Sequence, residues 1–470
     1  MTLYLSNNEK LELLKTQKYI ISKQKLLYYI NDIEKKTIQN IDNIYIYNTD
    51  AHNNIDKCVQ SPSWQLGHIS HFYLKYTLSL LKKKNGLRYH ILNSYIKQIE
   101  NESNIKFNEF YDSMKMIYKL RFTNKILLNR LKIVYHSIIK ILQFYINKFN
   151  LDSIDNYLIM LSILHNDMHN ENYSFTLYYF RNMFLEKKLI PDIKIIIENQ
   201  IENQIENQIK NPFINIPSGF LHQGSNINKN RIIFDNEGPS FLIKIEEFKV
   251  SKYPITEYQF LDFVLNDGYK NDNYWSETGL EWRKNNNILN PLYWLNINNV
   301  WYRTHNGSIF NIGSNLPICN ISWYEAQAYC KWKHVRFINE SEWEYIATNL
   351  GKNNYPWGDN EPTNELCNIN NKYKYCVDVN LYKCGENITG VSQLIGNIWE
   401  WCEEVFYPYP NFTIDYVYRE MSYPFFGEKK ICRGGCFYAN DYLVYPKYRN
   451  AQDPGCQIQY TGFRVCLKSS

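Results

Sequence analysis

The chain changes texture at Asn211, and no single fold class accommodates what lies on the two sides. Residues 1–190 are poor in glycine and proline, the residues that end helices and make turns, and rich in leucine, isoleucine, lysine and tyrosine. Apolar side chains recur there at helical spacing in LELLKTQKYIISKQKLLYYI (11–30), HISHFYLKYTLSLLKK (68–83), RLKIVYHSIIKILQFYI (130–146) and YLIMLSILHNDMHNENYSF (157–175). Four amphipathic stretches without strand signals predict a helix bundle. IENQIENQIENQIK (197–210) then repeats every four residues. Such a repeat drifts around a helix of 3.6 residues per turn, so it reads as a low-complexity surface connection.

After Asn211, proline, glycine and tryptophan become frequent, and short strand-like runs alternate with turns, as in FLIKIEEFKVSKYPI, ICRGGCFY and TGFRVCL. SWYEAQAYCKWK predicts an embedded helix, because Ser322 and Glu325 have capping-box spacing. NESEWEYIAT predicts a second. Many short strands with little regular helix imply a loop-rich α+β domain held by buried aromatics. The expected division is a helical bundle over 1–190, a linker over 191–212 and the loop-rich domain over 213–470.

A formal charge of +5 on 470 residues gives no argument for a nucleic-acid or membrane partner. No apolar run approaches the roughly 18–20 residues that span a bilayer. The opening MTLYLSNNEKLELLKTQ lacks a basic segment followed by an apolar one, so a cytoplasmic setting with reduced thiols is expected. Ten of the eleven cysteines follow residue 300 and none forms a C-x-x-C pair, which leaves a structural zinc site unsupported.

His165 and His169 stand four apart in ILHNDMHNENY, a spacing that stacks two imidazoles on one helix face. PSWQLGHISHFYLK offers His68 from another helix, with His71 as its rival. Three histidines on one face of an octahedral metal leave positions open, as oxygen chemistry on Fe(II) requires. Glu171 can be read as a further ligand, an orienting group or a surface charge.

SPSWQLGH (61–68) followed by LHNDMHNE (164–171) resembles the DinB-like bundle of the sulfoxide synthases of ergothioneine biosynthesis, the hercynine oxygenases. The second half resembles the formylglycine-generating-enzyme (sulfatase-modifying factor) fold, a variant of the C-type-lectin fold. The matching pieces include IPSGFLHQGS, FDNEGP, FKVSKYPITEYQFLDFV, PICNISWYEAQAYCKW, RFINESEWEYIA, YPWGD, GNIWEW, RGGC and TGFRVC. The resemblance implies a four-helix bundle followed by a lectin-like domain, with Fe(2+) held by His68, His165 and His169. It implies small-molecule substrates: a histidine betaine (trimethylhistidine), a thiol such as cysteine or γ-glutamylcysteine, and dioxygen. An active-site tyrosine is implied within NFTIDYVYREMSYPFFG (411–427), where Tyr416 and Tyr418 are the candidates and Tyr423 an outsider. In YRNAQD, Asn450 becomes a candidate substrate contact and Asp453 one for a quaternary ammonium.

Two departures matter. Tyr445 and Asn450 stand where copper-dependent formylglycine-generating oxidases carry two cysteines, and a soft Cu(I) ion wants thiolates. Met168 stands where the best-known sulfoxide synthases have glutamine, which brings the segment closer to a branch that includes selenoneine-forming relatives. A selenol donor is therefore an alternative to a thiol, and a lectin-like protein that only binds ligands is a third reading. Asn397, Trp399 and Trp401 of GNIWEW, and the RGG of 433–435, are expected to hold the fold.

Overall fold

A computed structural model describes residues 19–46, 59–85, 90–115, 125–188, 209–226, 231–306, 308–312, 315–415 and 418–468. Tyr416 and the IENQ repeat up to Gln208 lie outside the described residues. The chain divides into two compact units: Met1–Phe180 with Asn226–Asp235 and Asn411–Pro424, and Arg181–Ser225 with Asn236–Pro410 and Phe425–Ser470.

The first unit is helical. Helix α1 (Lys23–Tyr45) begins where the Ser22 hydroxyl accepts the Lys25 amide. It therefore starts later, and runs further, than the 11–30 pattern; residues 11–18 lie outside the described residues. Its buried stripe runs Leu26, Tyr29, Ile30, Ile33, Thr37, Asn40, Ile41 and Ile44, one face turned to a core. Helix α2 (Pro62–Phe72) is buried on every side, as a helix at the centre of others must be. Ser61 caps it by accepting the Trp64 amide, and Pro62 sits in the first turn, where its missing N–H costs nothing.

The α2 rod continues through a π-helical stretch, Tyr73–Leu78, into α3 (Ser79–Asn85). Helices α4 (His90–Ser103), α5 (Phe107–Phe110), α6 (Lys125–Lys148) and α7 (Ser153–Lys188) follow. Helix α6 packs against α1, α2 and α4. Buried hydrogen bonds tie α7 in: the Tyr135 hydroxyl donates to Asn166 Oδ1 at 2.6 Å, and Asn166 Nδ2 donates to Thr37 Oγ1 at 3.0 Å. The Thr77 and Ser162 hydroxyls meet at 2.6 Å. A polar layer satisfied in this way fixes the rotation of α7 about its axis more tightly than apolar packing alone.

The second unit is a mixed α/β assembly of short strands. One antiparallel sheet has the order β1 (Phe213–Ile216), β4 (Phe248–Ser251), β13 (Val465–Leu467) and β8 (Val335–Phe337). A second has the order β11 (Asn450–Gln452), β10 (Lys430–Arg433), β9 (Trp399–Val405) and β12 (Thr461–Gly462), with β12 parallel to β9. A pair, β2 (Gly219–Gln223) with β3 (Phe241–Ile245), and a meander, β5 (Trp294–Ile297), β6 (Val300–His305) and β7 (Ser308–Asn311), complete the strands. Helices α8 (Glu257–Leu265), α9 (Glu277–Asn285), α10 (Trp323–Lys333) and α11 (Glu340–Ala347) lie between them. The capping box expected of Ser322 and Glu325 is present at the start of α10.

Buried ion pairs with multiple hydrogen bonds hold this unit. Arg464 donates through Nε and Nη2 to both oxygens of Glu400, each at 2.6 Å, and Trp343 Nε1 donates to the same carboxylate at 2.8 Å. Arg433 and Arg449 share Glu340. Asn397 Oδ1 accepts from the Val377 amide and from Asn368, and its Nδ2 donates to the Val377 carbonyl, a bracing role for the GNIWEW turn. Among the described residues no helix is long and apolar enough to cross a membrane. Arg464 and Glu400 are both fully buried, so Arg464→Met strands a carboxylate. We expect a loss of about 3–5 kcal/mol, measured by urea unfolding.

Candidate metal centre

His68 lies on α2 and His165 and His169 lie one turn apart on α7, so two neighbouring helices supply the three rings. One ligand nitrogen from each lies within 4.8 Å of the others, and this is the group of three metal-binding side chains found among the described residues. His68 and His165 are buried, and His169 is partly exposed. Their ring centroids lie 4.7–5.1 Å apart.

Hydrogen bonds on the outer edges of two rings decide which nitrogens face inward. His68 Nδ1 lies 2.8 Å from the Tyr111 carbonyl oxygen. A carbonyl only accepts, so His68 carries its proton on Nδ1 and keeps a lone pair on Nε2. Gln65 Nε2 donates to the Gln60 carbonyl at 3.2 Å, which orients the amide so that Gln65 Oε1 accepts from His169 Nδ1 at 3.0 Å. His169 is therefore the same tautomer. Metal-binding histidines carry this signature: the outer nitrogen donates and the inner one ligates.

His68 Nε2 and His165 Nε2 stand 3.1 Å apart. Two nitrogens bound at right angles, each about 2.1 Å from one ion, would lie about 3.0 Å apart. The imidazole set thus fits a first-row divalent metal, for which nitrogen is a suitable donor. Burial holds the His165 imidazole far below its ordinary pKa, and the rings of His169, His68 and His71 push the same way. The neutral form that a metal requires is the form the fold already favours.

The packing around the rings is specific. Trp64 stacks on His68 at 5.0 Å, and its Nε1 donates to the Phe110 carbonyl at 2.8 Å. Phe72 stacks on His165 at 3.9 Å. Gly67 lets the Tyr111 ring lie against α2; a Cβ there would come within 2.1 Å of Tyr111 Cε1. His71 is buried but stands outside the group, its pKa lowered to about 3 by burial and then by His68 and Lys75. Glu171 is also buried and outside it.

Segment 411–424 belongs to this unit and brings Tyr418 to the rings. The Tyr418 ring is perpendicular to His165 at 5.5 Å and to Phe72 at 5.0 Å, and its hydroxyl points to Met168 Sδ at 3.8 Å. Asp235 of FDNEGP pins the segment: its Oδ2 accepts the Asp415 amide at 2.9 Å and the Ser422 hydroxyl at 2.8 Å. Tyr157, on the histidine helix, donates to Asp415 at 3.3 Å. Glu420 was not singled out by sequence reasoning, yet its Oε2 lies 3.9 Å from His68 Nε2. Gln65, Tyr111, Ser113 and the Asp235 grip were missed as well. Gln65 had a signal, its position one turn before His68 in the helix start. The others act through a carbonyl or across long sequence separations, which no spacing reveals.

Tyr423 is exposed. Asn450 and Asp453 lie in the second unit, on β11 and just after it. Asn450 Oδ1 accepts from the Ala451 amide and Gln452, while Asp453 accepts the Gly455 amide and pairs with Lys429 at 3.6 Å. Tyr445, where copper oxidases place a thiolate, donates its hydroxyl to Glu237.

Two measurements test this geometry. Gly67→Ala forces Tyr111 off α2, so we expect a destabilisation of about 1–3 kcal/mol in thermal unfolding, with weaker Co(II) binding as the carbonyl leaves His68. The metal-free protein should also lose stability in acid. His165 and His71 protonate near 6.5 when unfolded but much lower when folded, His71 at about 3. The unfolded chain thus binds more protons below pH 6.5, and each ring costs up to about 1.4 kcal/mol per pH unit there. Replacing His71 with glutamine should flatten the acid limb of a stability–pH profile; an unchanged limb would contradict the assignment.

Residues 199–469 match the model of the Sulfatase-modifying factor enzyme 1-like domain. The chain is 30% identical over 236 residues to a hercynine oxygenase of Mycobacterium tuberculosis, covering 49% of this chain and 55% of that protein. It is 28% identical over 259 residues to a hercynine oxygenase of Mycolicibacterium smegmatis, covering 53% and 60%. A formylglycine-generating enzyme of Streptomyces coelicolor is 28% identical over 180 residues, covering 34% and 57%. The matched segment thus spans little more than half the length of these relatives. PvdO from Pseudomonas aeruginosa superposes with a TM-score of 0.38 at 17% identity over 55% of this chain and 94% of its own, too loose a likeness to carry an argument. An N-terminal helical region bearing three histidines that can hold a metal, joined to a mixed α/β region matched over most of its length, places this chain in the sulfatase-modifying factor family.

Proposed function

We propose that this protein is an iron-dependent, oxygen-consuming enzyme that joins a thiol to the imidazole ring of a histidine betaine and yields a sulfoxide. The observation that carries the reading is the inward convergence of His68, His165 and His169, with His68 and His169 held as ligating tautomers by Tyr111 and Gln65. The likeness to hercynine oxygenases supplies the substrate class.

The reaction balances as thiol plus imidazole plus dioxygen giving sulfoxide plus water. Forming the carbon–sulfur bond releases two electrons, and oxidising the sulfur releases two more. Fe(II), when bound, supplies the reactivity toward dioxygen that no side chain of this chain has. His68, His165 and His169 would hold it and would leave coordination positions for reactants. Burial of His68 and His165 excludes water from that face and strengthens every electrostatic contact made there.

Tyr418 has a distinct task. Its buried phenol stands edge-on to His165, with the hydroxyl aimed at Met168 Sδ on the same helix. In this reading it delivers a proton as oxygen is reduced. Asn450 and Asp453 are the proposed betaine contacts, on the resemblance alone. The Met168 segment keeps a selenol donor as the second reading.

The test is anaerobic reconstitution with Fe(II), then oxygen uptake with trimethylhistidine plus cysteine, γ-glutamylcysteine or a selenosugar. One donor should give coupled product with one dioxygen consumed per bond formed; iron binding without coupling to any of them would refute the substrate assignment. His165→Ala should abolish iron binding. Tyr418→Phe should bind iron normally while kcat falls by about 10²-fold or more; an unchanged kcat would remove Tyr418 from the mechanism.

A further inference from the structure

Glu420 is a partly buried carboxylate that no lysine or arginine pairs with among the described residues. Its side chain is 11% exposed, and its Oε2 accepts a hydrogen bond from the Ser113 hydroxyl. The basic group within ion-pair reach is His68, whose Nε2 lies 3.9 Å away. That distance is too long for a hydrogen bond. The Tyr111 carbonyl, moreover, puts the His68 proton on Nδ1, so the nitrogen that faces Glu420 is a lone pair.

A carboxylate oxygen facing an imidazole lone pair is an acceptor facing an acceptor. His165 Nε2 adds another nitrogen 3.1 Å from the same His68 atom. Burying an ionised carboxylate against such groups is costly unless a positive charge lies among them. The Glu420 charge is felt nearby: it adds to burial in raising the Tyr76 phenol pKa. Placement of the residue is not incidental either. It sits two residues before Ser422 and five after Asp415, and both are gripped by Asp235.

From this we infer that Glu420 is a fourth protein donor to the ion held by His68, His165 and His169, an inference that rests on the metal reading of those histidines. The side chain stands outside the tight nitrogen cluster, so its terminal torsion, which is broad for glutamate, turns the carboxylate onto the ion when the ion binds. Ser113 keeps the arm aimed at the centre. Bound there, the carboxylate cancels one charge of a divalent ion and leaves two of six octahedral positions for exchangeable groups, where three imidazoles alone would leave three.

The experiment is anaerobic titration of the full-length protein with Fe(II) and Co(II), reading affinity by chelator competition and coordination by the visible absorption of Co(II). Wild type should bind one ion, and His165→Ala should bind none. Glu420→Gln keeps the shape and the Ser113 contact and removes the uncompensated charge, so its metal-free thermal midpoint should equal or exceed that of wild type. We expect it to bind both ions about 10–100-fold more weakly with an altered Co(II) spectrum. Glu420→Asp, one methylene shorter, should fall between. Wild-type affinity and spectrum in Glu420→Gln would overturn the inference while leaving the three-histidine centre intact. Absence of any ion in wild type would overturn the centre itself, and this inference with it.

Discussion

The centre depends on two hydrogen bonds that point away from it. If the Tyr111 carbonyl and the Gln65 amide did not accept the Nδ1 protons of His68 and His169, either ring could present an N–H to the interior. A ring turned that way repels a cation. The surrounding packing exists to keep these acceptors in place. Trp64 stacks on one face of His68 while its indole N–H fastens the Phe110 carbonyl, and Gly67 gives the Tyr111 ring room to lie on α2. The full burial of α2 follows, since each of its sides meets a partner.

The two units treat buried polar groups in opposite ways. In the second, Arg433, Arg449 and Arg464 meet Glu340, Glu344 and Glu400 in buried, multiply hydrogen-bonded ion pairs, and aromatic rings lie over Arg433 and Arg449. Such pairs do little for net stability against an apolar core but are severe to break, so they enforce one arrangement of short strands that have few ladder bonds of their own. In the first unit, imidazole nitrogens gather beside the Glu420 carboxylate, which takes a hydrogen bond from the Ser113 hydroxyl but pairs with no lysine or arginine among the described residues. That imbalance is what a structural core avoids and a cation-binding centre requires.

Two groups that stand beside the centre are not on the helices that build it. Tyr418 and Glu420 come from a segment that lacks a long element to position it, and three polar ties do that work: Asp235 to the Asp415 amide, Asp235 to Ser422, and Tyr157 to Asp415. The last runs from the helix that carries His165 and His169, which couples the placement of the tyrosine to that of the ligands. FDNEGP, which in the sequence stood out as a family feature, thereby acquires a physical task.

How much could be read from the chain before its coordinates follows from range. The change of texture at Asn211, the helical periodicity, the capping box at Ser322 and the H-x-x-x-H pair are all local, and local spacing converts directly into geometry because a helix has a fixed period. Position 68 could be set beside 165 and 169 only through resemblance, since His71 satisfied the same periodicity. The start of α1 at Lys23 was displaced from its pattern because a capping serine, not hydrophobic spacing, sets where a helix begins. Tertiary structure alone decided which nitrogen of each ring is free, that Tyr111 and Gln65 set it, and that Glu420 lies beside His68. Those contacts join residues separated by 43 positions for Tyr111 and His68, and 104 for Gln65 and His169. No sequence period spans such distances; only the packed backbone brings a carbonyl or a distant carboxylate to an imidazole.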